Sequence, residues 1–194
     1  NASRQLPEKG FWAGLFGKKD PVCFAPFSSL TFGHNGQILA CCYNRFYVLG
    51  SFPEESLEQV WRGERAEVLR RYIEQNDLSH GCQVCELHLN SRSFDAVPAR
   101  HYDGLGLPPR NAPFPLRLDF ELSNSCNLEC IQCSGISSSA IRKNREKLPP
   151  LHSPYNDEFL RQLNPFLPHV RESTFVGGEP FLIPLYFQIW ERLM

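Results

Sequence analysis

Two kinds of hydrophobic spacing run along the chain, and the places where one gives way to the other predict its elements. Leu116, Leu118, Phe120 and Leu122 alternate with Arg117, Asp119 and Glu121, a period of two that predicts a strand with one buried face. Glu172 to Val176 predicts a second, shorter strand. Asp157 to Asn164 is helical in pattern, and Ser137-Ser138-Ser139 offers a capped start to a helix from Ala140 to Lys147. Ile183 to Met194, with Pro184 suited to a first turn, predicts a further helix. In the first half, Leu57, Val60, Trp61, Val68, Leu69, Tyr72 and Ile73 make an amphipathic stripe broken near Gly63, read as core. Asn35-Gly36 between strand-like runs predicts a hairpin turn, and Phe46 to Leu49 predicts a strand. Val97 to Pro115 has the proline and glycine content of an interdomain linker.

From Leu116 onward the order is strand, loop, helix, then helix, strand, loop, helix, which is the order of βα units. Enzymes built from such units carry their chemistry on the loops after the strands. Those loops hold the most distinctive residues of the chain. Cys126, Cys130 and Cys133 follow the first strand with spacing C-x3-C-x2-C, and Gly177-Gly178-Glu179-Pro180 follows the second.

Length and composition narrow the classes. The chain has 194 residues, 42% apolar content and a net charge of -1, enough for one or two globular units and without the basic excess of a nucleic-acid binder. No apolar run approaches the roughly 18 residues of a membrane span. Phe11 to Phe16 is too short for a secretory core, so residues 1–20 are read as an N-terminal arm. Eight cysteines without a signal peptide point to metal ligation in a reducing cytoplasm rather than to disulfides. A full (β/α)8 barrel needs about 250 residues, so the chain is expected to be a piece of a longer protein.

Three thiolates so close together suggest an iron-sulfur cluster with one iron left open, because such clusters otherwise take four cysteines. A partial zinc site is the alternative, since zinc also takes thiolates. The C-x3-C-x2-C loop after a first strand and the Gly-Gly-Glu-Pro motif after a second resemble the radical S-adenosylmethionine (radical SAM) enzymes. The resemblance implies that Cys126, Cys130 and Cys133 ligate a 4Fe-4S cluster whose fourth iron is chelated by S-adenosylmethionine. It implies reductive cleavage to a 5′-deoxyadenosyl radical, hydrogen abstraction from a peptide or small-molecule substrate, and an electron donor such as flavodoxin or ferredoxin. Gly177, Gly178, Glu179 and Pro180 would lie against the cofactor's amino group, where glycines allow close backbone approach. Many members carry an aromatic residue before the third cysteine; here that place is Gln132.

The other cysteines lie in the first half. Cys23, then Gly36 with Cys41 in G-x4-C spacing, then Cys82 and Cys85 in C-x2-C spacing resemble the Twitch and SPASM auxiliary-cluster domains that accompany many radical SAM enzymes. No cysteine lies between Cys85 and Cys126, which fits the shorter, single-cluster Twitch form. The implied cofactor is an auxiliary 4Fe-4S cluster on Cys23, Cys41, Cys82 and Cys85, with zinc as the alternative because both accept four thiolates. Cys42 is read as a spare buried thiol or as the ligand in place of Cys41, and His80 as the least improbable other ligand.

The fold class that follows is α/β. A small α+β cysteine-rich, Twitch/SPASM-like domain (21–96) and a linker (97–115) precede the first βα units of a partial TIM-type (β/α) barrel (116–194). Arg142, Lys143, Arg145 and Lys147 are read as a solvated face that could alternatively meet an acidic substrate. No nucleic-acid or membrane partner is expected.

Overall fold

A five-stranded sheet, in the computed structural model that describes residues 21–194, joins both halves of the chain. The N-terminal arm expected over residues 1–20 lies outside the described residues. Strands β1 (Ser29–Phe32), β2 (Gln37–Leu39), β3 (Gly50–Ser51), β4 (Arg117–Phe120) and β5 (Glu172–Phe175) lie in the order β3-β2-β1-β4-β5. The β1–β2 hairpin turns at Gly36, whose φ of 89° is open to glycine. Its first strand runs parallel to β4, pairing Ser29 with Arg117 and Phe32 with Phe120. Strand β4 in turn runs parallel to β5, pairing Arg117 with Glu172 and Phe120 with Phe175.

The period of two divides the sheet into faces. Leu30, Phe32, Leu118 and Phe120 are fully buried on one side, where Phe32 stacks on Phe120 at 5.4 Å and Phe120 on Phe175 at 5.0 Å. Thr31, Arg117, Asp119 and Thr174 take the other side. There Arg117 donates to Asp119 at 3.0 Å, to Glu172 at 2.9 Å and to Thr174 at 3.0 Å.

Short helices cover the apolar face. Helix α1 (Ala25–Ser28) precedes β1; α2 (Leu57–Arg62) and α3 (Glu64–Glu74) meet at Gly63, where the stripe is broken. The start of α2 is a capping box: Ser56 accepts from Gln59 N–H while the Gln59 side chain accepts from Ser56 N–H. Helices α4 (Gln83–Asn90), α5 (Ser139–Asn144), α6 (Asp157–Leu163) and α7 (Pro184–Leu193) follow. Ser138 caps α5 through Ile141 N–H, and Pro184 opens α7. Phe159 of α6 meets Phe32 edge to face at 5.1 Å.

Two expectations change. The strand expected over Phe46–Leu49 is a turn, because the Asn44 side chain takes Tyr47 N–H at 3.1 Å and Phe46 projects outward; pairing starts only at Leu49. The stretch read as a linker contains a 3-10 helix, Pro98–Leu105, with Ala99, Tyr102 and Leu105 buried. Prolines that suggested a spacer here set the turns of a packed element. The βα units are present, but the sheet is open and forms no closed barrel among the described residues.

Candidate metal centres

Four separate segments bring cysteines to one place. Cys23 lies just before the Phe24 that starts α1, Cys41 follows β2, Cys82 stands at the N-cap position of α4 and Cys85 sits in its first turn. All four line a single small cavity with the apolar side chains of Val22, Leu78, Pro98 and Ala99, and with Tyr102. The lining offers four sulfurs and no carboxylate or imidazole, a donor set that suits an iron-sulfur cluster or a structural zinc ion. Cys42 is exposed and does not line it, contrary to the reading of a buried spare thiol. Cys42 sits in the turn that Asn44 N–H closes on Cys41 O at 3.3 Å. His80 also stands outside the cavity.

Polar groups reach the sulfurs from behind. Ala25 N–H donates to Cys23 Sγ at 3.4 Å and the Asn44 amide to Cys82 Sγ at 3.5 Å. Burial outweighs the backbone N–H groups of Asn44 and Tyr43, which favour the Cys41 thiolate, and that of Ala99, which favours the Cys85 thiolate. Asn44 is buried and also donates to His80 O at 2.9 Å, which fixes the turn that leads into Cys82. Arg70 ties α1, which follows Cys23, to the end of α2. Its buried guanidinium donates to Pro26 O and Trp61 O, both at 2.9 Å, and lies 4.4 Å over the Trp61 ring.

Burial dominates the thiol acidities. It holds Cys23 and Cys85 above the usual thiol range and pushes Cys41 and Cys82 up to about 12. Metal-free, the site therefore keeps its protons at neutral pH, and thiolate ligation must release them.

The second set of cysteines is built differently. Cys126, Cys130 and Cys133 occupy one loop between β4 and α5; Cys130 is exposed and the others are half-buried. The loop is tied to α5 by the Ser138 and Ser139 hydroxyls. Ser139 accepts from Cys126 N–H at 3.0 Å, and Ser138 donates to Leu128 O at 2.7 Å. Leu128 N–H points at Cys126 Sγ at 3.4 Å. The Asn124 side chain holds Gly135 O at 2.9 Å, closing the loop's base. A cavity of about 950 Å³ opens beside Cys126, walled by α5 and by the stretch from Leu148 to Ser153. Arg142 and Lys143 line it, and Arg145 and Lys147 are exposed beyond it.

The Gly-Gly-Glu-Pro motif touches this loop directly. Gly178 N–H donates to Ser123 O at 2.9 Å and Glu179 N–H to Ser125 O at 2.7 Å. Gly177 has φ 109°, and a methyl group on Gly178 would collide with the Ser125 carbonyl. Glycine is thus required where the two loops cross. Tyr186, on α7, fastens the strand ends beneath them: its hydroxyl accepts from Leu122 N–H at 3.0 Å and reaches the carbonyls of Val176 at 2.6 Å and Phe120 at 2.9 Å.

Residues 23–86 match a family model described as SPASM, an iron-sulfur cluster-binding domain. The match spans all four cavity cysteines. It is to SPASM by name, where the cysteine count had pointed to the shorter Twitch form. No curated protein and no solved structure matches the chain. Within the SPASM segment the metal donors are separated in sequence and joined by the fold. Among the described residues, no three His, Cys, Asp or Glu side chains are gathered as closely as one metal ion requires.

Sequence reasoning missed Asn44, Tyr102 and Tyr186. Asn44 stood three positions after Cys41 and carried a turn signal; the two tyrosines carried none, since a buried tyrosine is ordinary core until its hydroxyl is located.

Proposed function

We propose that the chain is the cluster-bearing part of a radical SAM enzyme, with an auxiliary iron-sulfur cluster in the SPASM segment. The observation that carries the reading is the pair of backbone hydrogen bonds from Gly178 and Glu179 to Ser123 and Ser125. Two motifs some fifty residues apart in sequence meet on adjacent parallel strands, where a ligand on the cysteine loop would also touch the glycines. A 4Fe-4S cluster held there with an open iron would supply the electron for cleaving the sulfonium of S-adenosylmethionine, the start of hydrogen abstraction. The chain's own residues have simpler roles. Cys126, Cys130 and Cys133 hold the cluster, and Gly177 and Gly178 admit the cofactor's amino group to the backbone. Glu179 orients the turn by accepting from Phe181 N–H at 3.2 Å, and Pro180 fixes the chain leaving it.

Cys23, Cys41, Cys82 and Cys85 hold the auxiliary group. Zinc at about 2.3 Å from each sulfur would draw the four thiols tightly together; their spread around a cavity favours a larger cluster. The wider protein is a partial (β/α) barrel enzyme of the cytoplasm, acting on a peptide or small molecule and reduced by flavodoxin or ferredoxin. The domain division is that of an auxiliary-cluster unit (21–96), a connecting segment (97–115) and the start of the radical SAM core (116–194).

The test uses the full-length protein, reconstituted anaerobically with iron and sulfide. With reductant and S-adenosylmethionine we expect 5′-deoxyadenosine, and none after Cys126→Ser, Cys130→Ser and Cys133→Ser together. Persistent absence of 5′-deoxyadenosine from the parent protein would sink the reading.

A further inference from the structure

Three apolar side chains of the cysteine loop face solvent: Leu128 is 50% exposed, Ile131 93% and Ile136 55%. They lie on the segment that carries the thiols, with Ile131 next to Cys130 and two positions before Cys133. Contacts hold this segment against α5 and the turn after it. The Asn144 amide donates to Glu129 Oε1 at 2.6 Å, Gly135 N–H donates to Glu146 Oε1 at 2.7 Å, and the Ser138 hydroxyl donates to Leu128 O at 2.7 Å. Single exposed apolar residues are ordinary, but several together inside a polar rim mark a protein contact.

The rim is basic. Between Cys126 and Lys147 stand Arg142, Lys143, Arg145 and Lys147 against two carboxylates, Glu129 and Glu146, in a chain whose net charge is -1. Both carboxylates are engaged by the neutral donors just named. None of the four cations is in an ion pair among the described residues, and Arg142 Nε donates to a carbonyl, Pro149 O. The local positive excess is therefore unneutralised and attracts acidic surface.

We propose that this face, with Leu128, Ile131 and Ile136 at its centre and Lys143, Arg145 and Lys147 around them, is the docking surface for an acidic one-electron carrier protein. The inference rests on the radical SAM reading of the cysteine loop. That reading needs one electron per cleavage, passed from the carrier, which is oxidised, to the cluster, which is reduced, and it leaves the point of entry open. Consecutive Cα atoms are about 3.8 Å apart, so a carrier seated on Ile131 lies against the loop that holds the thiols. Gly178 and Glu179 meet that loop at Ser123 and Ser125, ahead of the thiols, so the cofactor's turn and the carrier's face use different residues. Apolar contact fixes the carrier once it arrives, and complementary charge sets how fast it arrives.

The experiment uses the full-length protein, reconstituted anaerobically and given S-adenosylmethionine with either dithionite or enzymatically reduced flavodoxin, an acidic carrier. Two variants are compared with the parent: Lys143→Glu, Arg145→Glu and Lys147→Glu together, and Ile131→Ser alone. Iron content and dithionite-driven 5′-deoxyadenosine should match the parent, because none of these side chains supplies a ligand. The flavodoxin-driven rate should fall by about tenfold in the charge-reversed variant at low ionic strength, and the parent's rate should fall toward it as salt rises. Ile131→Ser should lower the flavodoxin-driven rate and keep its salt dependence. Flavodoxin-driven rates equal to the parent's in both variants overturn the inference and leave the radical SAM reading intact, since dithionite still yields product. The same equality with a changed oligomeric state gives the face to a second copy of the chain and likewise overturns it. An equal fall with both reductants is a structural effect on the loop and overturns it too. A parent that forms no 5′-deoxyadenosine even with dithionite overturns the radical SAM reading and this inference with it.

Discussion

Cys23, Cys41, Cys82 and Cys85 come from four segments and meet in one buried cavity, whereas Cys126, Cys130 and Cys133 share one loop with Cys130 exposed. The first arrangement exists only if the hairpin, α1 and α4 are already docked. The second is made by neighbours in sequence and needs only the end of β4 and the start of α5. A site assembled by the fold binds its metal as part of folding, because ligation and docking fix the same segments. A site assembled by one loop leaves the fold independent of the metal. Under the proposed function it would also leave a side of a cluster bound there open for a ligand that is not protein.

Stripping metal from the full-length protein is the strongest test of this contrast. Chelation should lower the melting temperature of the SPASM segment, with a loss of up to roughly 10 kcal/mol if its metal behaves like a structural thiolate site. Hydrogen exchange should show the loss around Cys23, Cys41 and α4 rather than around Cys126. Equal loosening of both regions would erase the contrast.

Gly178→Ala comes next. Its methyl group would meet the Ser125 carbonyl, so the two loops must part, at a cost of about 1–3 kcal/mol typical of local backbone strain. Affinity for S-adenosylmethionine should fall with it while auxiliary iron stays bound. An unaltered affinity would remove the glycine from the proposed cofactor site.

Replacing Cys126, Cys130 and Cys133 by serine together should change stability by only about 0.5 kcal/mol, as at other partly exposed positions. The same triple change should abolish S-adenosylmethionine cleavage. A large shift in the denaturant midpoint would mean that this loop, too, is held by its metal.

The last test concerns alkaline pH in the metal-free protein. Burial raises the thiols of Cys41 and Cys82 from about 9 to about 12. A raised folded-state value adds stability that is fully present below the unfolded value and is lost as pH rises through the folded one. Urea midpoints of apoprotein should therefore fall between about pH 9 and 12, by at most about 1.4 kcal/mol per pH unit for each thiol. Holoprotein, whose thiols carry no proton, should lack that slope.

The sequence by itself determined the local elements and the chemical types at each site. Period two at Leu116–Leu122, the break at Gly63, the hairpin at Asn35-Gly36 and the proline opening α7 all follow from contacts between near neighbours, which spacing records directly. Cysteine spacing likewise named the candidate donors, because C-x2-C and C-x3-C-x2-C runs are near neighbours in sequence. Only the tertiary structure decided that β1 pairs with β4, so that both halves share one sheet. It alone placed Tyr102 and the proline-rich stretch against the cysteine cavity, turned Cys42 outward, and set Tyr186 beneath the two motif loops. Those facts depend on which surfaces meet across long stretches of chain. A buried hydroxyl or a parallel strand partner leaves no period in the sequence, because its neighbour in space is not its neighbour along the chain.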